Sequence, residues 1–169
     1  RIFELGFGTG LNTLLTFEAA AAIAGIEVEY HSIESDPLPD TVLDQFRSGP
    51  SVDISLLKAI HEAPFGETVQ LSARFRLAKI RSSVQDFNSV AKFDVVYYDA
   101  FGPRVQPELW TKDIFTKMKG LMSADGFLVT YCAKGIVKRA MREAGLKVDA
   151  LPGPPGKREM TRCSIPSIE

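Results

Sequence analysis

Cysteine is scarce in this chain. Cys132 and Cys163 stand far apart and form no CxxC pair, which leaves neither a zinc site nor a disulfide framework to expect, only two reduced thiols buried in strands. Long hydrophobic runs are also missing. The longest uninterrupted apolar stretch, Ala19 to Ile26, is far too short to cross a bilayer, so no membrane partner is expected. No basic, apolar, small-residue signal pattern opens the chain, and nothing points to export. Internal repeats and low-complexity linkers are absent, so a single domain over residues 1–169 is expected. There is no initiator methionine: the chain opens on Arg1 and drops directly into an apolar strand, which reads as a piece whose N-terminal segment is missing. Reduced thiols without a signal or a span favour the cytoplasm.

What is present is the composition of an ordinary globular protein, 45% hydrophobic and 24% charged, long enough to bury a real core. A net charge of −1 does not advertise a nucleic-acid binder. Its distribution says more. Residues 111–169 hold eleven Lys and Arg against six Asp and Glu, whereas the first 110 hold nine against fifteen. A footprint for phosphates belongs on the C-terminal half, although solvated helix faces explain such charge equally well.

Strand-like and helix-like segments alternate. Strands are expected at Ile2–Leu5, Glu27–Ile33, Asp94–Tyr98 and Phe127–Cys132, with strand or hairpin structure over Val69–Ile80. Helices are expected at Leu11–Ala24, Pro37–Phe46, Val52–His61, Thr111–Leu121 and Ile136–Ala144, and Ser123–Gly126 reads as the turn before a strand. Two last strands, Lys147–Leu151 and Glu159–Ile165, flank a Gly/Pro-rich loop. Strands separated by helices imply an α/β fold, a mostly parallel sheet with helices on both faces. The final loop-joined pair implies an antiparallel strand near the C-terminus, the shape of a Rossmann-like class I methyltransferase sheet.

The segment Glu4-Leu5-Gly6-Phe7-Gly8-Thr9-Gly10 follows the first strand and opens the first helix. In open α/β sheets ligands bind at the carboxyl ends of strands, and glycines there let the backbone approach a ligand. A dinucleotide fingerprint would require a sixth-position glycine where Leu11 stands. The spacing Gly6, Gly8, Gly10 is instead the GxGxG form of many methyltransferases. Glu34 ends the second strand, where a carboxylate can accept both ribose hydroxyls of an adenosine. Asp86 is a candidate for the adenine amino group, although Asp-Phe-Asn is also ordinary turn chemistry. Glu4 is a candidate to hold the ammonium of a methionine moiety, or else simply ties down the turn.

Tyr97-Tyr98-Asp99-Ala100-Phe101-Gly102-Pro103 carries the other half of the chemistry. Methylating an amine requires its lone pair to be aimed at the sulfonium methyl. An acid can orient that amine and accept its proton, and an aromatic can pack on a flat base beside it. Asp99 and Phe101 fit those roles; the plainer alternative has Asp99 capping a turn and Phe101 in the core.

Three blocks occur in order: Phe3-Glu4-Leu5-Gly6-Phe7-Gly8-Thr9-Gly10-Leu11-Asn12; Asp99-Ala100-Phe101-Gly102-Pro103 with Pro107-Glu108-Leu109-Trp110-Thr111; and Gly156-Lys157-Arg158-Glu159-Met160. Together they make the chain resemble, over essentially its whole length, the methyltransferase domain of the bifunctional tRNA 5-methylaminomethyl-2-thiouridine biosynthesis enzymes and their stand-alone relatives. The resemblance implies methyl transfer from S-adenosyl-L-methionine to the aminomethyl nitrogen of 5-aminomethyl-2-thiouridine at the tRNA wobble position. It implies that Asp99 and Phe101 lie beside the target amine and base, and that Gly6, Gly8, Gly10 and Glu34 hold the cofactor. It further implies that the loop Pro152–Arg158 lines the mouth of the site, with Lys157 and Arg158 toward RNA phosphate. Lys134 is a further phosphate candidate, as are Lys138, Arg139 and Arg142. Gly102 departs from the family, which often has alanine there. No FAD-binding oxidase segment follows, so that activity would be a separate partner.

Alternatives remain at this stage. A methyltransferase or aminopropyltransferase acting on a small-molecule amine would use a similar acid, and a catalytically silent module would bind RNA or protein without turnover. A nicotinamide dehydrogenase is disfavoured by Leu11.

Overall fold

The computed structural model describes residues 1–39, 41–43 and 53–167. Its contacts divide the chain into two compact units, one formed by Arg1–Leu5 with Val84–Glu169 and the other by Gly6–Ser83.

The second unit is built on β2 (Val28–Glu34), β3 (Thr68–Ser72) and β4 (Phe75–Arg81), in the order β3-β4-β2, with helices α1 (Leu11–Ala21) and α2 (Ile54–Glu62). β2 and β4 are parallel, and β3 returns antiparallel to β4 as the hairpin expected from Val69–Ile80. Alternation decides what is buried. Val28, Tyr30 and Ser32 on β2 pair in register with Phe75, Leu77 and Lys79 on β4, and all six are buried. Phe17 of α1 and Tyr30 both pack on the Phe75 ring, and Leu57 and Ile60 of α2 complete the core.

Several helix ends differ from expectation. α1 stops at Ala21 although the alanine-rich sequence favours helix to Ala24, because residues 22–25 turn toward β2 through Gly25 at φ 77°. The α2 helix starts at Ile54, where Asp53 accepts the Leu56 N–H at 3.0 Å as its N-cap. Of the helix expected at Pro37–Phe46, residues 37–39 are not helical, residues 41–43 are, and the remainder lies outside the described residues.

The first unit carries β1 (Ile2–Leu5), β5 (Phe93–Tyr98), β6 (Met122–Thr130), β7 (Lys147–Pro152) and β8 (Glu159–Ser164), in the order β1-β5-β6-β8-β7. β1, β5 and β6 are parallel; β8 is antiparallel to β6 and to β7. The last strand is therefore inserted between β6 and β7. Helix α3 (Lys112–Leu121) links β5 to β6 and α4 (Gly135–Glu143) links β6 to β7. Ser123–Gly126, expected as a turn, lies within β6. The ladder nonetheless jumps from Phe93↔Met122 to Val95↔Phe127, so these residues bulge out of register instead of reversing the chain. Phe3 stacks on Phe87 at 5.0 Å and packs on Phe93, and Tyr98, Trp110 and Phe115 form a second aromatic cluster. Cys132 and Cys163 are free and buried; burial pushes the Cys163 thiol up to about 12. Cys163 is in β8, and Cys132 lies two residues past β6.

Candidate active site

The glycine turn owes its shape to three left-handed residues, Gly6 (φ 92°), Gly8 (φ 52°) and Gly10 (φ 73°). Gly6 N–H donates to the Ile33 carbonyl at 3.0 Å, which fixes the turn to the end of β2. Gly10 is constrained twice over: a Cβ there would lie 3.1 Å from both Phe7 Cζ and Ile60 Cγ2. Gly8 is different. A Cβ on it would meet nothing within 4 Å, so its backbone faces open space. Its N–H donates to Glu34 Oε2 at 3.2 Å, while Glu34 Oε1 accepts the Asp36 N–H at 3.0 Å. The sequence-predicted Glu34 and the glycine turn are thus brought together. Each carboxylate oxygen keeps a lone pair after accepting one N–H, enough to receive the two hydroxyls of a ribose. An open glycine backbone with a carboxylate at its rim fits an adenosyl cofactor.

In the other unit, Asp99 continues from β5, its N–H bonded to the Leu5 carbonyl at 3.1 Å. Asp99 is exposed, and so is Phe101, at 69%. Phe101 is therefore not a core residue, and the plainer of its two expected roles falls away. Its position is fixed through its backbone: Trp110 Nε1–H donates to the Phe101 carbonyl at 2.8 Å. Trp110 ends a 3₁₀ helix, Pro107–Trp110, and the buried Tyr98 hydroxyl donates to the Leu109 carbonyl within it. Thr111 then caps α3, accepting the Ile114 N–H. The Trp-Thr block is thus scaffolding that holds an exposed aromatic at a strand exit.

Tyr131, just past β6, is a residue that sequence reasoning missed. Its hydroxyl donates to the Ala100 carbonyl at 2.8 Å, and the Lys157 ammonium stands 4.3 Å from its ring centroid. Burial raises the Tyr131 phenol above its ordinary range, and the neighbouring Asp99 carboxylate adds to the effect. Tyr131 thus joins Asp99, Ala100 and the loop carrying Lys157, residues far apart in sequence. Only its place after a parallel strand could have signalled it.

Lys157, Arg158 and Lys134 are exposed, with Lys134 at the N-cap of α4. Lys138, also considered for phosphate, is engaged instead with Glu159 at 2.8 Å; this bond holds the Glu159 carboxyl below its usual range. Glu4 is fully buried at the end of β1. Asp86 is exposed in a turn whose backbone carbonyl accepts the Asn88 side-chain amide at 2.9 Å. Asp86 lies in the unit with Asp99, and the glycine turn lies in the other.

Over residues 54–166 the sequence matches the family described as S-adenosyl-L-methionine-dependent methyltransferase. The chain belongs to that family. This methyltransferase is 29% identical over 174 residues to the tRNA 5-methylaminomethyl-2-thiouridine biosynthesis bifunctional protein MnmC of Nitrosospira multiformis, a match covering 98% of this chain and 28% of the relative. It is 31% identical to the protein of the same name in Ectopseudomonas mendocina, covering 94% of this chain and 26% of that one. It spans little more than a quarter of the length of these relatives. Among solved structures it is similar to MnmC2 from Aquifex aeolicus, with a TM-score of 0.75 and 25% identity over all of this chain and 55% of that one.

The methyltransferase fold is Rossmann-like and mostly parallel, with antiparallel strands toward its ends, as the alternating sequence implied. Among the described residues no helix is long and apolar enough to cross a membrane, and no group of three or more His, Cys, Asp or Glu could hold a metal ion.

Proposed function

We propose that this methyltransferase acts on the aminomethyl nitrogen of 5-aminomethyl-2-thiouridine at the tRNA wobble position, its 169 residues working as one domain. The observation that carries the reading is the exposed Phe101 two residues after the exposed Asp99, in a chain similar along its whole length to enzymes named for this modification. A ring exposed at a strand exit and held by its backbone is suited to stack on a flat base. Asp99 accepts an N–H of the adjoining amine and orients its lone pair. Being exposed, it can pass the proton it takes to solvent.

S-adenosyl-L-methionine supplies the electrophilic methyl when bound. Gly6, Gly8 and Gly10 present the backbone that receives it, Glu34 accepts the ribose hydroxyls, and Glu4 and Asp86 contact its methionine ammonium and adenine amino groups. Lys134, Lys157 and Arg158 meet RNA phosphate. A reaction that exposes the primary amine must come first, and an FAD-dependent oxidase is its proposed source. The work is done where tRNA is, in the cytoplasm.

The test is transfer from labelled S-adenosyl-L-methionine to tRNA from a strain lacking this modification, followed by nucleoside analysis. Labelled 5-methylaminomethyl-2-thiouridine is expected. Label on free small amines but not on tRNA would replace this reading with a small-molecule methyltransferase. Cofactor binding without any transfer would leave a silent module.

A further inference from the structure

The glycine turn rests on side chains that the proposed reaction does not use. Lys79 of β4 is 2% exposed. Its Nζ donates to the His61 carbonyl at 2.7 Å and lies 4.9 Å from the ring centroids of both Phe7 and Phe65. Phe7 is part of the turn, between Gly6 and Gly8. His61, near the C-terminus of α2, reaches the same turn: its Nε2 is 2.7 Å from the Thr9 carbonyl, and its ring meets Phe7 edge-on at 6.3 Å. A carbonyl only accepts, so this nitrogen carries the proton and donates. The turn is thus gripped at Phe7, Thr9 and Gly10, while Gly8 between them faces open space.

A lysine is a costly residue to bury, and an apolar side chain of similar length would fill the same volume without a charge. Burial draws its ammonium down from the ordinary 10.5 to about 8. What the ammonium adds is direction. It satisfies a carbonyl in the last turn of α2, where the helix dipole favours a cation, and it is attracted to the faces of two rings that an alkyl chain would only touch. Its ladder partner Ser32 is fully buried as well. The Gly66 N–H bonds the Lys79 carbonyl at 2.7 Å, tying the segment after α2 to the same point.

We propose that Lys79 and His61 are positioning residues for the cofactor: they fix the Phe7–Gly10 backbone in its receiving conformation and so set cofactor affinity, not the rate of transfer. The proposal rests on the glycine turn being the cofactor cradle.

The experiment measures S-adenosylhomocysteine binding by calorimetry for wild type, Lys79→Met, His61→Leu and His61→Gln. Thermal unfolding and the kcat and KM for S-adenosyl-L-methionine are measured alongside. Lys79→Met and His61→Leu are each expected to weaken binding and raise KM about ten-fold, with kcat at saturation within about two-fold. Their Tm should stay within about 4 °C of wild type. His61→Gln, whose amide N–H can stand where Nε2–H stood, is expected to recover most of the affinity. Should Lys79→Met fail to fold, the two His61 variants, which leave the lysine in place, decide the matter. Wild-type affinity in Lys79→Met and His61→Leu, or a fall in kcat with KM unchanged, overturns the assignment while the cradle stands. A wild type that does not bind S-adenosylhomocysteine overturns the cradle itself, and this assignment with it.

Discussion

Replacing Glu34 with alanine removes the carboxylate that accepts the Gly8 N–H at 3.2 Å and the Asp36 N–H at 3.0 Å. In the free protein both N–H groups lie near solvent and can turn to water, so the loss of stability is small, about 1 kcal/mol. In the complex the effect is larger. A carboxylate that accepts ribose hydroxyls makes hydrogen bonds to a charged group, whose removal costs about 1.5–3 kcal/mol, or roughly ten- to a hundred-fold in Kd. Glu34→Gln separates charge from shape. The amide keeps one oxygen, but its NH₂ must then face a donor, either a backbone N–H or a ribose hydroxyl. It is therefore expected to fall between wild type and alanine and not to restore binding. Calorimetric titration with S-adenosylhomocysteine and with its 2′-deoxy analogue gives a double-mutant cycle. Loss of the 2′-hydroxyl should cost the wild type more than the alanine variant. Equal costs in both proteins, or an alanine variant of unchanged affinity, would refute the ribose assignment.

Asp99→Asn should lower turnover by about a hundred-fold or more while leaving S-adenosylhomocysteine affinity within a few-fold in calorimetry; a large loss of cofactor binding would mean the residue serves the other substrate. Phe101→Ala removes a ring that is 69% exposed, so unfolding stability should change by no more than about 0.5 kcal/mol, yet KM for tRNA should rise about ten-fold. Lys79 gives a pH signature. Its folded-state ammonium titrates at about 8 against 10.5, so at this group the unfolded chain binds more protons between those values and the Lys79 contribution to stability rises with pH across the window. The Lys79 contribution amounts to about 3 kcal/mol and is read as the difference between wild type and Lys79→Met in denaturant titrations across that window, since the raised Cys163 thiol contributes with the opposite sign in both proteins.

The features legible in the sequence were those written locally. Gly6, Gly8 and Gly10 stand at fixed spacing because one turn needs three left-handed residues, and Glu34 ends a strand, just past the buried Ile33. Phe101 was singled out because an acid and an aromatic follow the apolar run of β5 into a Gly-Pro turn, although its exposure was not legible there. What escaped was assembled across distance. Tyr131 sits thirty-one residues from the carbonyl it bonds, and Lys79 eighteen from His61, with nothing in either neighbourhood to announce the pairing. Lys79 even obeys the strand alternation of β4, with Phe75 and Leu77 on its face, so periodicity marks the position as core while the residue type denies it. Ser123–Gly126 misled in the opposite sense: turn-forming residues were absorbed by a strand that could bulge.

The insertion of β8 between β6 and β7 also sets an order of events during synthesis. β7 leaves the ribosome before β8, yet among the described residues it pairs with no other strand, so it must wait unpaired until the residues up to Ser164 have emerged. Lys157 and Glu159 are delivered by that same late segment. Tyr131 acquires its lysine, and Lys138 its carboxylate, only as the final strand slides home. The Asp99 unit is thus completed only once β8 has emerged, and without β8 the β7 strand would stay unpaired and β6 would be an open sheet edge, a template for aggregation and a target for proteolysis.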